Sequence, residues 1–307
     1  MQIQIGILDY MIRKGLVFLQ EYKRLIVLVL SILFFLFAVI FYFSFRSTDT
    51  LTVTFVDVGQ GDGIVIKTPN NKIFVIDGGP NKIIEKTVAH TASLLTKKVH
   101  VLLATHPDAD HITGLVSVIK DFDVRMVVES PAKGKSGVFD SLENAVEDES
   151  KNGAEVHVGN LGDVIDFGDG VTFTVVSPKT DIWHGEDTND ESVTGVLSYG
   201  DYTFLLTGDL PITREGAVIT SGLVSRNITV LKAGHHGSKF SSGEVFLNYL
   251  KPTYSIISAG KKNRYGHPNP EAMERIQKNS KEIISTIDHG SITFVTDGRN
   301  ISVETEK

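Results

Sequence analysis

Residues 105–111 read THPDADH and place two histidines and two aspartates directly after the apolar run at 101–104. This pattern predicts a buried strand that opens onto alternating imidazole and carboxylate groups sharing one small volume. Neighbouring carboxylates repel one another and lose hydration on burial, and a divalent cation offsets both costs. Imidazole and carboxylate are ordinary ligands for such ions, so the segment predicts a metal site. The alternative interpretation is a solvated acidic loop ahead of a helix.

Three further groups follow apolar, strand-like runs. Residues 204–206 lead into Thr-Gly-Asp209, residues 230–231 lead into KAGHHGS at 232–238, and YGHP at 265–268 closes the series. Each group alone is weak, because an aspartate after a strand usually caps a turn and a single histidine usually has a structural role. Together with THPDADH they predict that separate strand ends converge on one metal centre.

The N-terminus contains an uncharged apolar segment, Leu25–Ser44, whose 20 residues match the length that crosses a bilayer. The sequence after it offers no small-residue cleavage site, so we predict an uncleaved signal anchor that contacts the lipid bilayer. Four cationic residues precede the span and only Arg46 follows it closely. The positive-inside rule then places the N-terminus in the cytoplasm and the rest of the chain outside the cell. Met11 is an alternative start.

The predicted organisation is a cytoplasmic segment at 1–24, the transmembrane anchor at 25–44, a linker at 45–50 and a hydrolase domain at 51–307. The net charge of −7 argues against a surface that tracks nucleic acid everywhere, and leaves room for a local basic patch. The absence of cysteine excludes thiolate zinc sites and disulfides. No protein partner is identifiable.

The soluble part alternates strand-like runs with turns and a few helices. We expect a strand at 51–58 that ends in the tight loop GQGDG, helices at 111–121 and 270–279, an exposed helix and loop within 131–154, and a strand near 284–287. Two strand-rich halves with interspersed helices imply stacked sheets covered by helices.

The motifs DVGQGDG, IDGG, THPDADHITG, LLTGD, HHGS and YGHP together resemble those of the metallo-β-lactamase superfamily, and within it the soluble domain of the ComEC family of competence proteins. The resemblance covers residues 51–303. It implies an α/β fold, a four-layer αββα sandwich with a metal centre at one rim. Only one membrane span is predicted, so the DNA-translocating channel of that family is not implied.

The resemblance also implies ligand roles. One metal position would take His106 and Asp108, the other Asp110, His111 and His267, with Asp209 bridging, while Asp77 and Asn189 would support the ligands without binding metal. Two of these positions depart from the superfamily pattern. Asp108 stands where most members have a histidine, and Asn189 stands where another histidine is usual. The first position is therefore richer in oxygen, which shifts preference from zinc toward manganese or magnesium. We expect one or two divalent ions, zinc or manganese; Asp190 is a less favoured extra ligand.

The predicted chemistry is hydrolysis by metal-activated water. Asp110 would orient the water, and His235 or His236 would act as general acid, His235 being favoured because Gly234 frees its approach. Ser238 would bind substrate or cap its turn; the sequence leaves both open.

Cationic residues on the same loops, Lys232, Lys261, Lys262 and Arg264, predict binding of an anionic polymer. Tyr265 and Phe240 are the only nearby aromatic residues for base stacking, which favours backbone recognition. The leading hypothesis is a membrane-anchored phosphodiesterase or nuclease that acts on DNA or another polyanion. The alternatives are a β-lactamase, lactonase or phosphocholine esterase, and a non-catalytic binding protein.

Overall fold

The computed structural model describes residues 2–45, 48–92, 97–180 and 187–307, and the chain divides into two compact units, Met1–Arg46 and Ser47–Lys307. The first unit is the helix α1 (Gln2–Phe45). Within it, Tyr22–Tyr42 is 21 residues long, apolar and not buried, and is long enough to cross a bilayer. It is the one helix in the described part of the chain that is long and apolar enough to do so, and the prediction of an N-terminal apolar helix is confirmed. Arg46 and Ser47, which the sequence assigned to the linker, lie outside the described residues.

The first half of the second unit contains, in chain order, β1 (Leu51–Phe55), β2 (Gly63–Lys67), β3 (Ile73–Gly78), α2 (Ile83–Thr91), β4 (Lys98–Val99), β5 (Val101–Ala104), α3 (Ala109–Asp121), β6 (Asp123–Val124), β7 (Met126–Glu129), α4 (Gly137–Lys151) and β8 (Glu155–Val158).

The second half continues with β9 (Val164–Asp166), β10 (Thr172–Ser177), β11 (Thr194–Tyr199), β12 (Tyr202–Leu206), α5 (Ile212–Thr220), β13 (Val230–Lys232), α6 (Glu244–Leu250), β14 (Tyr254–Ile257), α7 (Pro270–Asn279), β15 (Glu282–Ser285), α8 (Thr286–His289), β16 (Ile292–Thr296) and β17 (Ile301–Thr305). A 3₁₀ turn lies at Thr188–Glu191, and a tight turn whose central residues have left-handed backbone angles lies at Gly234–Gly237.

Two large sheets stack face to face. One has the order β17-β16-β1-β2-β3-β5-β7-β8 and the other β15-β14-β13-β12-β11-β10-β9, so the last two strands return to the first sheet. Apolar residues alternate along β1, whose inward positions are buried while the intervening threonines are partly exposed. Aromatic rings fill the space between the sheets, and Phe74 meets Phe173 edge to face at 5.1 Å between ring centroids.

Helices cover the outer faces of both sheets. Buried residues of α2, α3 and α4 form one apolar cluster with the first sheet, and buried residues of α5, α6 and α7 form another with the second. The predicted four-layer αββα architecture is confirmed. Strands β3, β5 and β7 are parallel to one another, as are β12 to β15, so the carboxyl ends within each set share one rim.

Three local predictions need correction. The strand expected at 51–58 ends at Phe55, before the glycine-rich loop. The segment expected to be exposed contains α4, whose apolar side packs on the domain through Phe139, Leu142 and two smaller residues. The strand expected at 284–287 ends at Ser285, because the Ser285 hydroxyl accepts the Ile287 amide and begins a helical turn.

Candidate metal centre

A cluster of histidines and carboxylates occupies the rim where strand ends of both sheets meet. His106 follows β5, and His111 lies in the first turns of α3. Asp209 follows β12, and His236 lies in the tight turn after β13. All four side chains are buried. The strand-end convergence that the sequence predicted is therefore present in the fold, and we call this cluster the metal centre.

The carboxylate of Asp209 lies at the middle of the metal centre. Its Oδ1 is 3.3 Å from Nε2 of His111. Its Oδ2 is 3.4 Å from Nε2 of His236, 3.5 Å from Nε2 of His235 and 3.8 Å from Nε2 of His106. A carboxylate that faces the same ring nitrogen of several histidines is well placed to bridge two ligand sets.

The other ring nitrogen of each buried histidine is held from behind. Nδ1 of His111 donates to Asp77 Oδ2 at 2.8 Å, and Nδ1 of His236 donates to the Ser258 carbonyl at 2.9 Å. Nδ1 of His106 lies 3.0 Å from the Thr105 hydroxyl, which itself donates to Asp77 Oδ2 at 2.7 Å. These partners hold a proton on Nδ1 of each ring and turn Nε2 toward Asp209, so Nε2 is the nitrogen that a cation would meet. Such outer support is usual for metal-binding histidines.

The electrostatics of the metal centre favour an added positive charge. Burial would lower the pKa of His111 and His236, but Asp209 and the neighbouring carboxylates raise the pKa of both well above its usual value. Burial would raise the pKa of Asp209, and His236 and His111 nevertheless hold it well below its usual value. Nε2 of His106 and Oδ1 of Asp209 are buried without a hydrogen-bond partner. A divalent cation would satisfy these atoms, so the donor set fits a metal.

Two more carboxylates lie on the partly open side of the centre. Asp110 Oδ2 is 3.6 Å from His236 Nε2; burial would raise its pKa, but His236 and His111 hold that pKa below its usual value. Asp108 Oδ2 is 3.9 Å from His106 Nε2, and its Oδ1 accepts the Thr188 hydroxyl at 2.8 Å. Asp108 therefore lies beside His106, with which the resemblance grouped it, whereas Asp110 faces His236, which the resemblance did not count among the ligands.

The structure distributes the remaining histidines differently from the prediction. A buried group whose ligand atoms lie within 4.8 Å of one another comprises Asp62, His111, Asp209 and His236. It contains His236, predicted as an alternative general acid, and not His267, predicted as a ligand. The His267 ring is 5.2 Å from the His235 ring, and burial, with His235 and His236, lowers the pKa of His267 to about 4.

Asp62 was not anticipated from the sequence. It lies in the GQGDG loop between β1 and β2, and its Oδ2 is 2.5 Å from Nζ of Lys232. The sequence feature that could have revealed its position is the glycine spacing of this loop. Gly61 has φ +128°, and a Cβ there would collide with the Asp110 carbonyl. The loop therefore packs directly against the metal centre.

The prediction that Lys232 binds substrate is contradicted by the structure. Its side chain is only 1% exposed and is held by Asp62 and by the Gly208 carbonyl. Ser238 is also buried, and its hydroxyl accepts the Phe240 amide at 3.3 Å, which favours the turn-capping role over substrate binding.

The other predicted substrate residues are exposed beside the centre. Lys261, Lys262 and Arg264 are exposed, and the last two line a groove of about 430 Å³ that reaches Asp110. Asn189 lies in the 3₁₀ turn whose Thr188 contacts Asp108, and its Oδ1 is buried without a hydrogen-bond partner. Asp190 pairs instead with Arg214 at 3.1 Å, away from a ligand role.

A sequence profile of the metallo-β-lactamase superfamily matches residues 56–261. The chain is 31% identical over 261 residues to ComE operon protein 3 of Bacillus subtilis. The matched region covers 79% of this chain and 32% of that protein. It is 25% identical over 244 residues to the competence protein ComA of Neisseria gonorrhoeae, with 79% and 32% covered. The chain spans about a third of the length of these relatives. The family resemblance that the motifs indicated is confirmed.

Two solved structures share the fold at low identity. Igni18, a metallo hydrolase from Ignicoccus hospitalis, matches with TM-score 0.51 and 12% identity, covering 80% of this chain and 98% of that one. CmlA, a diiron β-hydroxylase from Streptomyces venezuelae, matches with TM-score 0.51 and 12% identity, covering 79% and 53%. These likenesses concern the fold alone.

Proposed function

Because the chain belongs to the metallo-β-lactamase superfamily, we propose that it is a membrane-anchored, metal-dependent hydrolase that cleaves phosphodiesters in DNA or another anionic polymer. One observation carries the metal-dependent part of the proposal. Three buried histidines have Nδ1 tied to a partner behind the ring and Nε2 turned toward Asp209. This arrangement prepares nitrogen lone pairs and a carboxylate for a cation.

The centre offers ligands for one or two divalent ions, zinc or manganese. His106 with Asp108, and His111 with His236 and the nearby Asp110, would form the two sides, with the Asp209 carboxylate between them. The share of carboxylate oxygen in this set favours manganese more than an all-histidine set would. When bound, the cation supplies Lewis-acid activation of water and of the substrate's phosphoryl oxygen.

The chain's own residues then orient the reactants. Asp110 is ionised at neutral pH and half-buried, so it can accept a hydrogen bond from the attacking water. His235 has 29% of its side chain exposed and lies between Asp209 and His267, so it can donate a proton to the departing oxygen. Burial, with His235 and His236, lowers the pKa of His267 to about 4, so this ring is neutral at pH 7 and is not in its acid form.

The groove beside Asp110 supports an anionic substrate. Lys262 and Arg264 line it, and Arg264 lies over the Tyr265 ring at 5.0 Å. Tyr265 is 51% exposed, and its ring stacks on His267 with 5.8 Å between the centroids, so an exposed aromatic side chain lies in the groove where it can contact a base or sugar. Such cations neutralise backbone phosphates, whereas a small apolar substrate would need a more enclosed pocket.

The similarity to ComA, which is named as a competence protein, favours DNA as the polymer. We further propose that α1 anchors the chain in the cell membrane, with its N-terminus in the cytoplasm and the sandwich domain outside. The cationic residues before the span, and their scarcity after it, support this orientation.

The test uses the full chain in detergent, stripped with EDTA and reloaded with Mn²⁺, Zn²⁺ or Mg²⁺. We expect cleavage of plasmid DNA and bis-p-nitrophenyl phosphate with added metal, loss of cleavage in Asp209→Asn, and no hydrolysis of nitrocefin. Turnover of nitrocefin without phosphodiester cleavage would favour a β-lactamase-type hydrolase and reject the proposed substrate class. No turnover of any substrate under any metal would favour a binding protein.

A further inference from the structure

We propose that Lys232 and Asp62 are a positioning pair, whose buried ammonium–carboxylate contact keeps His236 and Asp209 oriented toward the metal centre. The inference deepens the proposed function and rests on it, because the pair adjoins the same centre. Neither residue touches the groove that would hold substrate, so neither is a catalytic residue.

The lysine side of the pair reaches Asp209 through the backbone. Lys232 Nζ is 2.5 Å from Asp62 Oδ2 and donates to the Gly208 carbonyl at 3.0 Å. It also lies 3.8 Å from Asp209 Oδ1. A charged side chain this buried is stable only when it is paired, so Lys232 is fixed in place. Because Lys232 holds the peptide group between Gly208 and Asp209, it fixes the backbone position from which the Asp209 side chain extends.

The aspartate side of the pair reaches His236. Asp62 Oδ1 lies 3.3 Å from Nδ1 of His236, the ring nitrogen that donates to the Ser258 carbonyl and faces away from Asp209. Asp62 therefore lies behind the His236 ring. It does so even though its carboxylate is within 4.8 Å of the ligand atoms of His111, Asp209 and His236. Oδ2 is occupied by Lys232, and Oδ1, which is buried without a hydrogen-bond partner, faces the Nδ1 side of the His236 ring, so we assign Asp62 to support and not to ligation.

The turn that carries His236 needs such support. His235 and His236 have φ +47° and +57°, a left-handed conformation that residues other than glycine adopt at a cost. Contacts that hold the His236 ring in place keep the turn from relaxing to an unstrained backbone conformation. Lys232 also neutralises Asp62, so that this buried carboxylate does not compete with the metal centre for a cation.

The test is a titration of the full-length chain in detergent with Co²⁺. The visible absorption bands of bound Co²⁺ measure binding and report the geometry of its ligands. We expect Asp62→Asn and Lys232→Met each to weaken Co²⁺ binding at least tenfold and to alter the spectrum. The double variant, which leaves no unpaired buried charge, should bind more tightly than Lys232→Met. Glu215→Gln, a buried carboxylate outside the centre, is the matched control and should bind as the wild type does.

If Lys232→Met does not fold, Asp62→Asn alone tests the positioning role. Asparagine is nearly isosteric with aspartate, so this variant is expected to fold. Wild-type Co²⁺ affinity and spectrum in folded Asp62→Asn would overturn the proposal. The readout needs no substrate. A wild-type chain that binds Co²⁺ but cleaves no phosphodiester would reject the proposed substrate class while leaving the test of the positioning pair intact.

Discussion

Asp77 Oδ2 accepts the Nδ1 proton of His111 at 2.8 Å and so fixes which nitrogen of that ring faces the metal centre. The same carboxylate accepts both the amide and the hydroxyl of Thr105, at 2.8 and 2.7 Å. The Asp77 carboxylate thus accepts three hydrogen bonds, and a donor group in its place would face another donor. Its φ of +55° is a conformation that asparagine tolerates well, so the amide variant is expected to fold.

Asp77→Asn should weaken metal binding by about 10- to 100-fold. The amide has a single acceptor oxygen, so its NH₂ group would face Thr105 or His111 and favour the His111 tautomer with the proton on Nε2. That tautomer has no lone pair toward Asp209. Calorimetric titration with Mn²⁺ or Zn²⁺ measures the loss, with the exposed Asp123→Asn as control. Equal affinity in both variants would show that Asp77 does not set the tautomer.

Asp110→Ala should lower metal-dependent turnover by at least a hundredfold while leaving the thermal unfolding midpoint nearly unchanged. The side chain is partly exposed at the rim, so its removal disturbs the centre and little of the apolar core. Turnover of bis-p-nitrophenyl phosphate and the melting curve are measured on the same preparation. Unchanged turnover would exclude Asp110 from both ligation and water orientation.

Regular elements with a strong local signal were predictable. Helix α7 begins at Pro270, with the Asn269 side chain accepting the Glu271 amide, and it ends at Asn279, the bounds that the sequence predicted. The ends of strands were less certain, because side-chain caps such as Ser285 compete with continued pairing and leave no mark on the apolar pattern.

The metal centre was predictable as a convergence of strand ends, and its inner arrangement was not. Lys232 precedes the histidine pair and resembles a surface cation in the sequence, since nothing local shows that it meets Asp62 from a distant loop. The choice between His236 and His267 likewise depends on which loop packs inward. Only tertiary contacts decide that, as they do for the Ser258 carbonyl behind His236.

Lys262→Ala combined with Arg264→Ala should weaken binding of a DNA oligonucleotide, and more at low salt than at high salt. Removal of each cation that neutralises a phosphate should reduce the slope of log affinity against log salt by about 1. Fluorescence anisotropy across a salt series measures this slope. The control removes the same number of charges, from Lys251 and Lys281, exposed residues near the amino ends of β14 and β15 and thus at the opposite end of these strands from the groove. Equal slopes in the two double variants would remove the main support for the groove as a polyanion site.

Protease added to intact cells should release the sandwich domain and leave α1 with the membrane. The expectation follows from the cationic residues that precede the span, Arg13, Lys14, Lys23 and Arg24. Immunoblotting with an antibody to the C-terminus, before and after permeabilisation, reports the accessible side. Protection in intact cells and digestion after permeabilisation would reverse the orientation.

Glu215→Gln should remove part of the pH dependence of stability. Burial raises the pKa of Glu215 to about 7, although the Gly243 amide donates to its carboxylate and acts in the opposite direction. Below pH 4.5 the side chain is neutral in both states. As the pH rises toward 7, the unfolded chain ionises while the folded chain keeps its proton, so the free energy of unfolding falls, by at most about 3 kcal/mol. Above pH 7 no further change comes from this group.

The glutamine variant cannot ionise, so its stability relative to the wild type should increase between pH 4.5 and 7 and then level off. Urea unfolding of the full chain in detergent at several pH values measures this difference. Burial also raises the pKa of Glu129 and Glu191 to about 7, so the difference between wild type and variant, and not the wild-type slope alone, is the quantity to compare. Glu271→Gln, an exposed position on α7, serves as control and should give a nearly flat difference. A flat difference for Glu215→Gln as well would mean that its carboxyl group does not stay protonated in the folded domain.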